Sequence, residues 1–450
     1  MKKGDIPTTS EAYKHSLGIA IPAIIEMVSL ALMAMIDTVM VGQLGAEAVS
    51  AVGLTTQPRM LFLSVFFAIN IAVTAIIARN KGADNMAEAR RCLRHALFII
   101  AVLGTIGTIA AVIFARPLMT LAGAQPDTVE LAASYFRITS YVLLLQVFTQ
   151  TICVAQRACG YTKITMKVNV TAKIVSVALN FLLIEGRFGF PRLEVDGAAW
   201  STAIAASVAF VLAFASILHK DSMLRISWRD DWGLELPMLK SIGRLASGGA
   251  IEQIGFRFGF FMYARIVAEL GTDDFAAHML AMQLMVLSFT FADGIGAATT
   301  ALVGQNLGKG RADLSIMYGK IGMRMAIVAA ATLSALCIIF RYQFPLLFID
   351  DPNIVATTAG LILILAYILP VQTAQIVMGG SLRGAGDTKY VAMTMVGTVG
   401  VMRPLLAFLF TFPLGFGLTG AWVAMLFDQV GRLIFLFVRF AGGKWIKAKV

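Results

Sequence analysis

Asp37 stands inside an apolar run, MAMIDTVMVG at 33–42. A carboxylate in the middle of a spanning helix costs about 2.5–3.5 kcal/mol on insertion scales, which makes it a functional candidate by default. An acid at that depth can take a proton from one side of a membrane and release it on the other. The plainer alternative is an Asp that snorkels or caps, because Gly42 and Gln43 are only a turn away. Glu26 precedes Asp37 by eleven residues, which brings it to within about 20° of the same helix face. The two acids either line one bundle interior together, or Glu26 pairs with a nearby Lys or Arg and does nothing else. In the segment TAKIVSVALNFLLIEG at 171–186, Lys173 and Asn180 are seven apart and again share a face. Lys173 is either a counter-ion for an acid of the same bundle or a lysine snorkelling to the boundary. Pro22, fifteen residues before Asp37, removes a backbone donor and should kink its helix, as a static bend or as a hinge.

Further charges interrupt the later apolar segments: Glu252, Arg257 and Arg265, then Asp293, Arg403, Asp428 and Arg432. Asp428 and Arg432 are four apart, the spacing of an intrahelical pair, which favours a structural role.

Those residues need elements to carry them. The chain has 450 residues, 58% of them hydrophobic and 14% charged, with a mean hydropathy of +0.80. Soluble domains run near 25% charged, so this is a polytopic membrane protein. About 20 apolar residues make a span, and twelve such windows are found, at 17–41, 50–77, 94–115, 131–155, 164–184, 196–218, 241–268, 276–303, 318–340, 354–378, 391–412 and 418–440. No strand-type alternation occurs, so the spans are read as helices and the fold as all-α. Loop cations gather on one side, from Lys2, Lys3 and Lys14 through Arg79, Lys81 and Arg157 to Lys309, Lys389 and Lys444. The opposite side holds Arg116, Arg187, Arg192 and Arg341. By the positive-inside rule both termini face the cytoplasm.

The chain also repeats itself at an offset of 226 residues. The turn around Leu44 and Gly45 returns at Leu270 and Gly271, Gln57 at Gln283, Asn80 at Asn306, and Gly160, Thr162 and Lys163 at Gly386, Thr388 and Lys389. After a three-residue slip, Gly197 and Ala198 match Gly420 and Ala421. Asp37 is not copied: its counterpart is Tyr263. Two six-helix bundles follow, an N-lobe at 1–220 and a C-lobe at 241–450, joined by a cytoplasmic linker at 221–240 that carries Asp221, Asp230 and Asp231. Six is even, so each bundle enters from the same side and the repeat is parallel, an arrangement of transporters with a midplane site.

Other classes lose support. The net charge of +11 is spread over alternate loops, unlike a nucleic-acid surface. Cys92, Cys153, Cys159 and Cys337 have no metal or redox spacing, and the scattered His15, His95, His219 and His278 do not make a metal site. No phosphate-binding loop is present, so ATP does not drive the protein directly, and no enzyme is expected. The apolar run after Lys2 and Lys3 is too long for a cleaved signal peptide.

In their order and spacing, VGQLGAEAVSAVGL at 41–54, ELGTDDFAAH at 269–278, ALVGQNLGKG at 301–310 and SLRGAGDTK at 381–389 resemble the multidrug and toxic compound extrusion (MATE) family over nearly the whole chain. The resemblance implies multidrug efflux across the cytoplasmic membrane, and hence antibiotic resistance, by antiport of bulky organic cations or amphipathic drugs against protons or sodium ions. Alternating access by two lobes around a cleft is implied too, with no cofactor and with membrane lipids and small molecules as the partners of a monomer. The resemblance ties Asp37 to ion coupling, sets Asn180 beside it, links Pro22 to bending of the first helix, and makes Glu252 a cation-binding candidate. It departs at Ile184, where some members carry a second acid, and at Gln372, where the acid partner of Glu252 is expected. That loss favours protons at Asp37 over a sodium site in the C-lobe. Met33, Phe66, Phe67, Phe256, Phe260, Met285 and Phe289 are expected to line the cleft, since thioethers and rings suit varied or cationic ligands. Two alternatives stay open: a flippase for a lipid-linked sugar, and a non-transporting membrane sensor or scaffold.

Overall fold

The computed structural model describes residues 7–122, 124, 128–219, 222–226, 233–349 and 351–448. Lys2, Lys3, Asp221, Asp230 and Asp231 lie outside them. Among the described residues no strand forms, as a hydrocarbon surrounding demands of a backbone that must satisfy its own hydrogen bonds. The helices are α1 (Thr9–Gly42), α2 (Ala46–Gly82), α3 (Met86–Ile113), α4 (Ala115–Leu121), α5 (Val129–Tyr141), α6 (Leu143–Ala158), α7 (Thr162–Leu183) and α8 (Glu194–Leu218). The second series is α9 (Leu236–Ala268), α10 (Thr272–Gly308), α11 (Ala312–Ile339), α12 (Gln343–Leu346), α13 (Pro352–Gly384), α14 (Thr388–Met395), α15 (Arg403–Thr411) and α16 (Gly417–Ala441).

Among the described residues, ten helical stretches are long and apolar enough to cross a membrane, and α5 with α6 makes an eleventh, bent by 50°. The twelfth is α9, 33 residues long, whose middle is diluted by Glu252, Gln253 and Arg257. The span expected at 131–155 is therefore two helices rather than one rod. Thr139 explains part of the break: its hydroxyl donates to the carbonyls of Tyr135 and Phe136, a back-bonding that bends helices. The span expected at 391–412 is also irregular. Between α14 and α15 the backbone widens into a π-helical segment, Val396–Met402. Pro404, at the start of α15, has no N–H to return to the preceding turn.

Two compact units result, one of residues Ile25–Gly243 and one of Met1–Ile24 with Arg244–Val450. They are called here the N-terminal and C-terminal bundles. The division falls within α1, two residues after Pro22. Ala12, Ile19 and Ala20 of α1 are buried with Ala298 and Leu302 of α10 and Tyr318 and Ile321 of α11, which holds the first half of α1 to the C-terminal helices.

The repeat is built on the same backbone devices in both bundles. Gly45 and Gly271 precede α2 and α10 with φ of 105° and 115°, a region open to glycine but costly for other residues. Gly160 and Gly386 both have φ of 91°. At the start of α8 a Cβ on Gly197 would fall 2.6 Å from the Leu183 carbonyl oxygen, and on Gly420 of α16 it would fall 2.7 Å from that of Phe410.

Candidate functional site

In the N-terminal bundle, α7 turns a polar stripe inward: Thr165, Asn169, Lys173, Ser176 and Asn180, spaced at helical intervals of three or four. Two separate acids of α1 meet it. Glu26 is wholly buried and fully partnered. Its Oε1 accepts from Arg157 Nη1 at 2.9 Å and from Asn169 Nδ2 at 2.6 Å, and its Oε2 accepts from the Thr165 hydroxyl at 2.8 Å. This ties α1, α6 and α7 together and leaves neither oxygen unbonded.

Asp37 is held differently. Lys173 Nζ donates to its Oδ2, and Asn180 Nδ2 donates to its Oδ1 at 2.8 Å. The carboxylate keeps 22% of its side-chain surface exposed and lines a cavity of about 220 Å³ with Thr38, Tyr135, Asn180 and Thr202. The structure thus brings Asp37, Lys173 and Asn180 to one point. Asn180 is itself buried, and its Oδ1 has no hydrogen-bond partner. A second cavity, of about 310 Å³, is lined by Lys173 and Thr202 together with Arg59, Gln146, Asn169 and Ser176. Ile184, at the position where the resemblance departs, is buried in an apolar cluster with Val41 and Ala198.

The C-terminal bundle places Glu252 of α9 against Arg383 of α13. Glu252 is 3% exposed, and its Oε2 is left without a partner. With Arg383 it lines a cavity of about 230 Å³, to which Asp293, Gln375, Phe256 and Phe289 also contribute. Gln372 is not part of that lining: it is wholly buried, and neither of its side-chain polar atoms has a partner. Of the residues expected to line a cleft, Phe260 stacks near Phe256, centroids 4.5 Å apart, and beneath the Arg403 guanidinium at 4.6 Å. Met33 and Phe67 are half-buried and Phe66 is buried. Met285 has no exposed surface and packs in an apolar core with Tyr263, Leu361 and Met425, because it lies on the inner face of α10. Asp428 pairs with Arg432 as its spacing predicts, at 2.8 Å, and also accepts two bonds from Arg403 at 3.0 and 2.5 Å.

Duplicated helices, an acid held at cavity level and the twelve-span order agree with a known family. Its pattern, MatE, matches residues 22–182 and 250–409, well over half of the chain. The chain belongs to the MatE family. MatE proteins are transporters, not enzymes, and this one is a multi-pass membrane protein. It is 28% identical to Uncharacterized transporter YisQ of Bacillus subtilis (strain 168), over 95% of this chain and 93% of that protein. It is 26% identical to Probable multidrug resistance protein NorM of Thermotoga maritima, over 100% and 96% of the two chains. Among solved structures, the outward-facing conformation of a multidrug resistance MATE family transporter of the MOP superfamily superposes with a TM-score of 0.87 at 22% identity, covering 98% of each chain. A MOP superfamily transporter from Pyrococcus furiosus superposes with a TM-score of 0.89 at 21% identity, over 96% of this chain and 95% of that one. These likenesses establish the fold.

Several site residues of this MatE chain escape a reading by residue type. Arg157 and Arg383 look like loop cations, yet each turns back onto a buried glutamate. The repeat carries the signal that finds them: the 226-residue offset maps Glu26 onto Glu252 and Arg157 onto Arg383. Arg59, Tyr135 and Thr202 have no such signal, since their counterparts are Met285, Leu361 and, after the slip, Met425.

Proposed function

We propose that this MatE protein is a secondary-active exporter of small amphipathic molecules, organic cations among them, driven by proton antiport through Asp37. The observation that carries the reading is the double hold on the Asp37 carboxylate by Lys173 and Asn180 at the wall of a cavity. A proton on Asp37 removes the charge that Lys173 pairs with, and it weakens the bond from Asn180, since a neutral acceptor holds a donor less strongly. The outer half of α1 is then held less firmly to α7. Protonated and unprotonated chains therefore favour different packings of α1, and any substrate that distinguishes those packings is coupled to the proton by the same free energy. Pro22 supplies a weak point in α1 at which such a change is absorbed. Sodium is the less favoured ion, because the Lys173 ammonium already occupies Oδ2 and repels a second cation. The duplicated Glu252–Arg383 pair supports a scaffold role for Glu252, like that of Glu26. The loop charge asymmetry supports both termini on the cytoplasmic face of the inner membrane, with the two bundles acting as the moving lobes of a monomer.

The test is efflux of a fluorescent organic cation from proteoliposomes under an imposed proton gradient and then a sodium gradient, wild type beside Asp37→Asn. Proton-driven efflux in the wild type, absent from the variant, is the expected result. Sodium-driven efflux that survives in Asp37→Asn moves coupling to another site, and no efflux under either gradient ends the transport reading.

A further inference from the structure

The larger cavity of the N-terminal bundle has a charge imbalance that proton coupling does not use. Its lining contains two cations, Arg59 of α2 and Lys173 of α7, and neither Asp nor Glu. Lys173 is satisfied by Asp37. Arg59 is held by a neutral group instead: half-buried, it donates from Nη2 to Gln146 Oε1 at 3.0 Å and has no carboxylate partner among the described residues. A second observation concerns hydrogen bonding in the same wall. Ser176 is 2% exposed, and its hydroxyl has no partner; nor does Gln150 Oε1. An unpaired guanidinium inside a lobe buried in hydrocarbon is unfavourable unless something of opposite charge completes it. The rest of the wall, including Leu30, Leu63, Ala205 and Ala209, is apolar, and about 310 Å³ is enough for a small-molecule pocket.

We infer that this cavity binds the carboxylate of an amphipathic, often zwitterionic, small molecule, with Arg59 as the anchor, the Ser176 hydroxyl as a second donor and the alanine and leucine wall as the seat of its apolar body. The guanidinium presents paired N–H groups that match the two oxygens of a carboxylate, which an ammonium cannot do. Gln146 sets the direction of that fork by holding one of its nitrogens. The cavity then selects among amphipathic substrates by the anionic group they carry, a feature that the pairing of Asp37 with Lys173 would not supply. This deepens the transport reading and rests on it for its physiological meaning, though binding is measured without any gradient.

The probes are rhodamine B, which bears a free carboxylate beside its cationic fluorophore, and its ethyl ester, which has the same fluorophore and no anion. Each is titrated by fluorescence anisotropy against the full-length protein in lipid nanodiscs. Wild type is expected to bind the acid more tightly than the ester. Arg59→Gln is expected to weaken the acid on the order of tenfold or more, the scale of a charge-assisted hydrogen bond, and to leave the ester within about twofold. Arg59→Lys keeps the charge without the fork and is expected to recover part of the loss, which shows that the cavity has kept its shape. Ser176→Ala should weaken the acid alone, by a smaller factor. Equal weakening of both dyes by Arg59→Gln, or equal affinity of wild type for acid and ester, overturns the inference. Carboxylate-selective binding in a protein whose proteoliposomes move nothing leaves the site standing and removes only the transport reading.

Discussion

Replacing Glu26 by alanine removes a carboxylate that accepts three hydrogen bonds in a place without solvent. Each bond to a charged acceptor contributes about 1.5–3 kcal/mol, and the groups left behind set the net cost. Arg157 keeps 17% exposure and Asn169 faces a cavity, so both regain some hydration, whereas the Thr165 hydroxyl is wholly buried and still bonds to the Thr162 carbonyl. The expected loss is therefore about 3–5 kcal/mol, the range for breaking a buried pair from one side. Equilibrium unfolding in mixed micelles of detergent and SDS, followed by tryptophan fluorescence, measures it. Glu26→Ala, Arg157→Ala and the double variant form a cycle whose coupling should reach about 1.5–3 kcal/mol, because each single variant strands the other partner. The same cycle at Glu252 and Arg383 should give at least as much, since Glu252 bonds to Arg383 through one oxygen and its other oxygen has no partner, whereas Glu26 keeps Asn169 and Thr165 when Arg157 is lost. Single-variant losses at Glu26 and Arg157 that add to within about 0.5 kcal/mol would refute the clamp and reopen Glu26 as an ion site.

Three more outcomes follow from the same geometry. Asp428→Asn leaves Arg403 and Arg432, both buried, without the charge between them, and should cost about 3–5 kcal/mol, read as lost monodisperse protein on size exclusion. Gly259→Ala forces a Cβ to 2.0 Å from the Val399 carbonyl oxygen and should destabilise severely. Gly18→Ala, in open space, should be neutral or stabilise by up to about 1 kcal/mol, and thermal melts of the two side by side decide the point. Lys173→Met removes the ammonium from Asp37 while Asn180 stays, so a sodium gradient should drive efflux better in that variant than in wild type; unchanged ion preference in the proteoliposome assay counts against Lys173 as the barrier to sodium.

The helical order was readable in the sequence because hydropathy windows report it directly, and the repeat fixed which turns need glycine, at Gly45 with Gly271 and Gly160 with Gly386. Facing residues on one helix were equally readable: seven steps put Lys173 and Asn180 on one side of α7, and the structure closes both onto Asp37. What stayed hidden involves contact between distant segments or a backbone exception. Asp428 and Arg432 show their pairing in their spacing, but nothing local announces that Arg403, 25 residues upstream, shares the acid. The π-helical segment before it and the 50° break after Tyr141 depend on how single carbonyls are satisfied, which composition does not record. The division of α1 between Ile24 and Ile25 is a matter of packing, since neither Pro22 nor Glu26 beside it says which bundle each half joins.

Duplication separates scaffold from chemistry in this chain. Glu26 with Arg157 and Glu252 with Arg383 are the same pair made twice, as are the glycine turns, and such features answer the common need of a six-helix bundle to hold together. Several polar groups around the N-terminal cavities are made once, although Gln146 returns as Gln372. Asp37, Arg59, Tyr135, Asn180 and Thr202 have as counterparts Tyr263, Met285, Leu361, Leu406 and Met425, and these five are members of, or packed against, a single apolar core of the C-terminal bundle. At these five positions one bundle keeps polar cavity-lining groups and the other has hydrocarbon and one tyrosine. Filling a cavity with close-packed apolar side chains stabilises a bundle and removes its capacity to bind. Leaving it open and charged forgoes that packing, and the retained Asp37, Lys173 and Arg59 carry a desolvation cost as well. An asymmetry of that kind between two copies of one framework supports the proposal that the N-terminal cavities are kept for binding, with both the proton and the substrate anion of the proposed cycle in the first bundle.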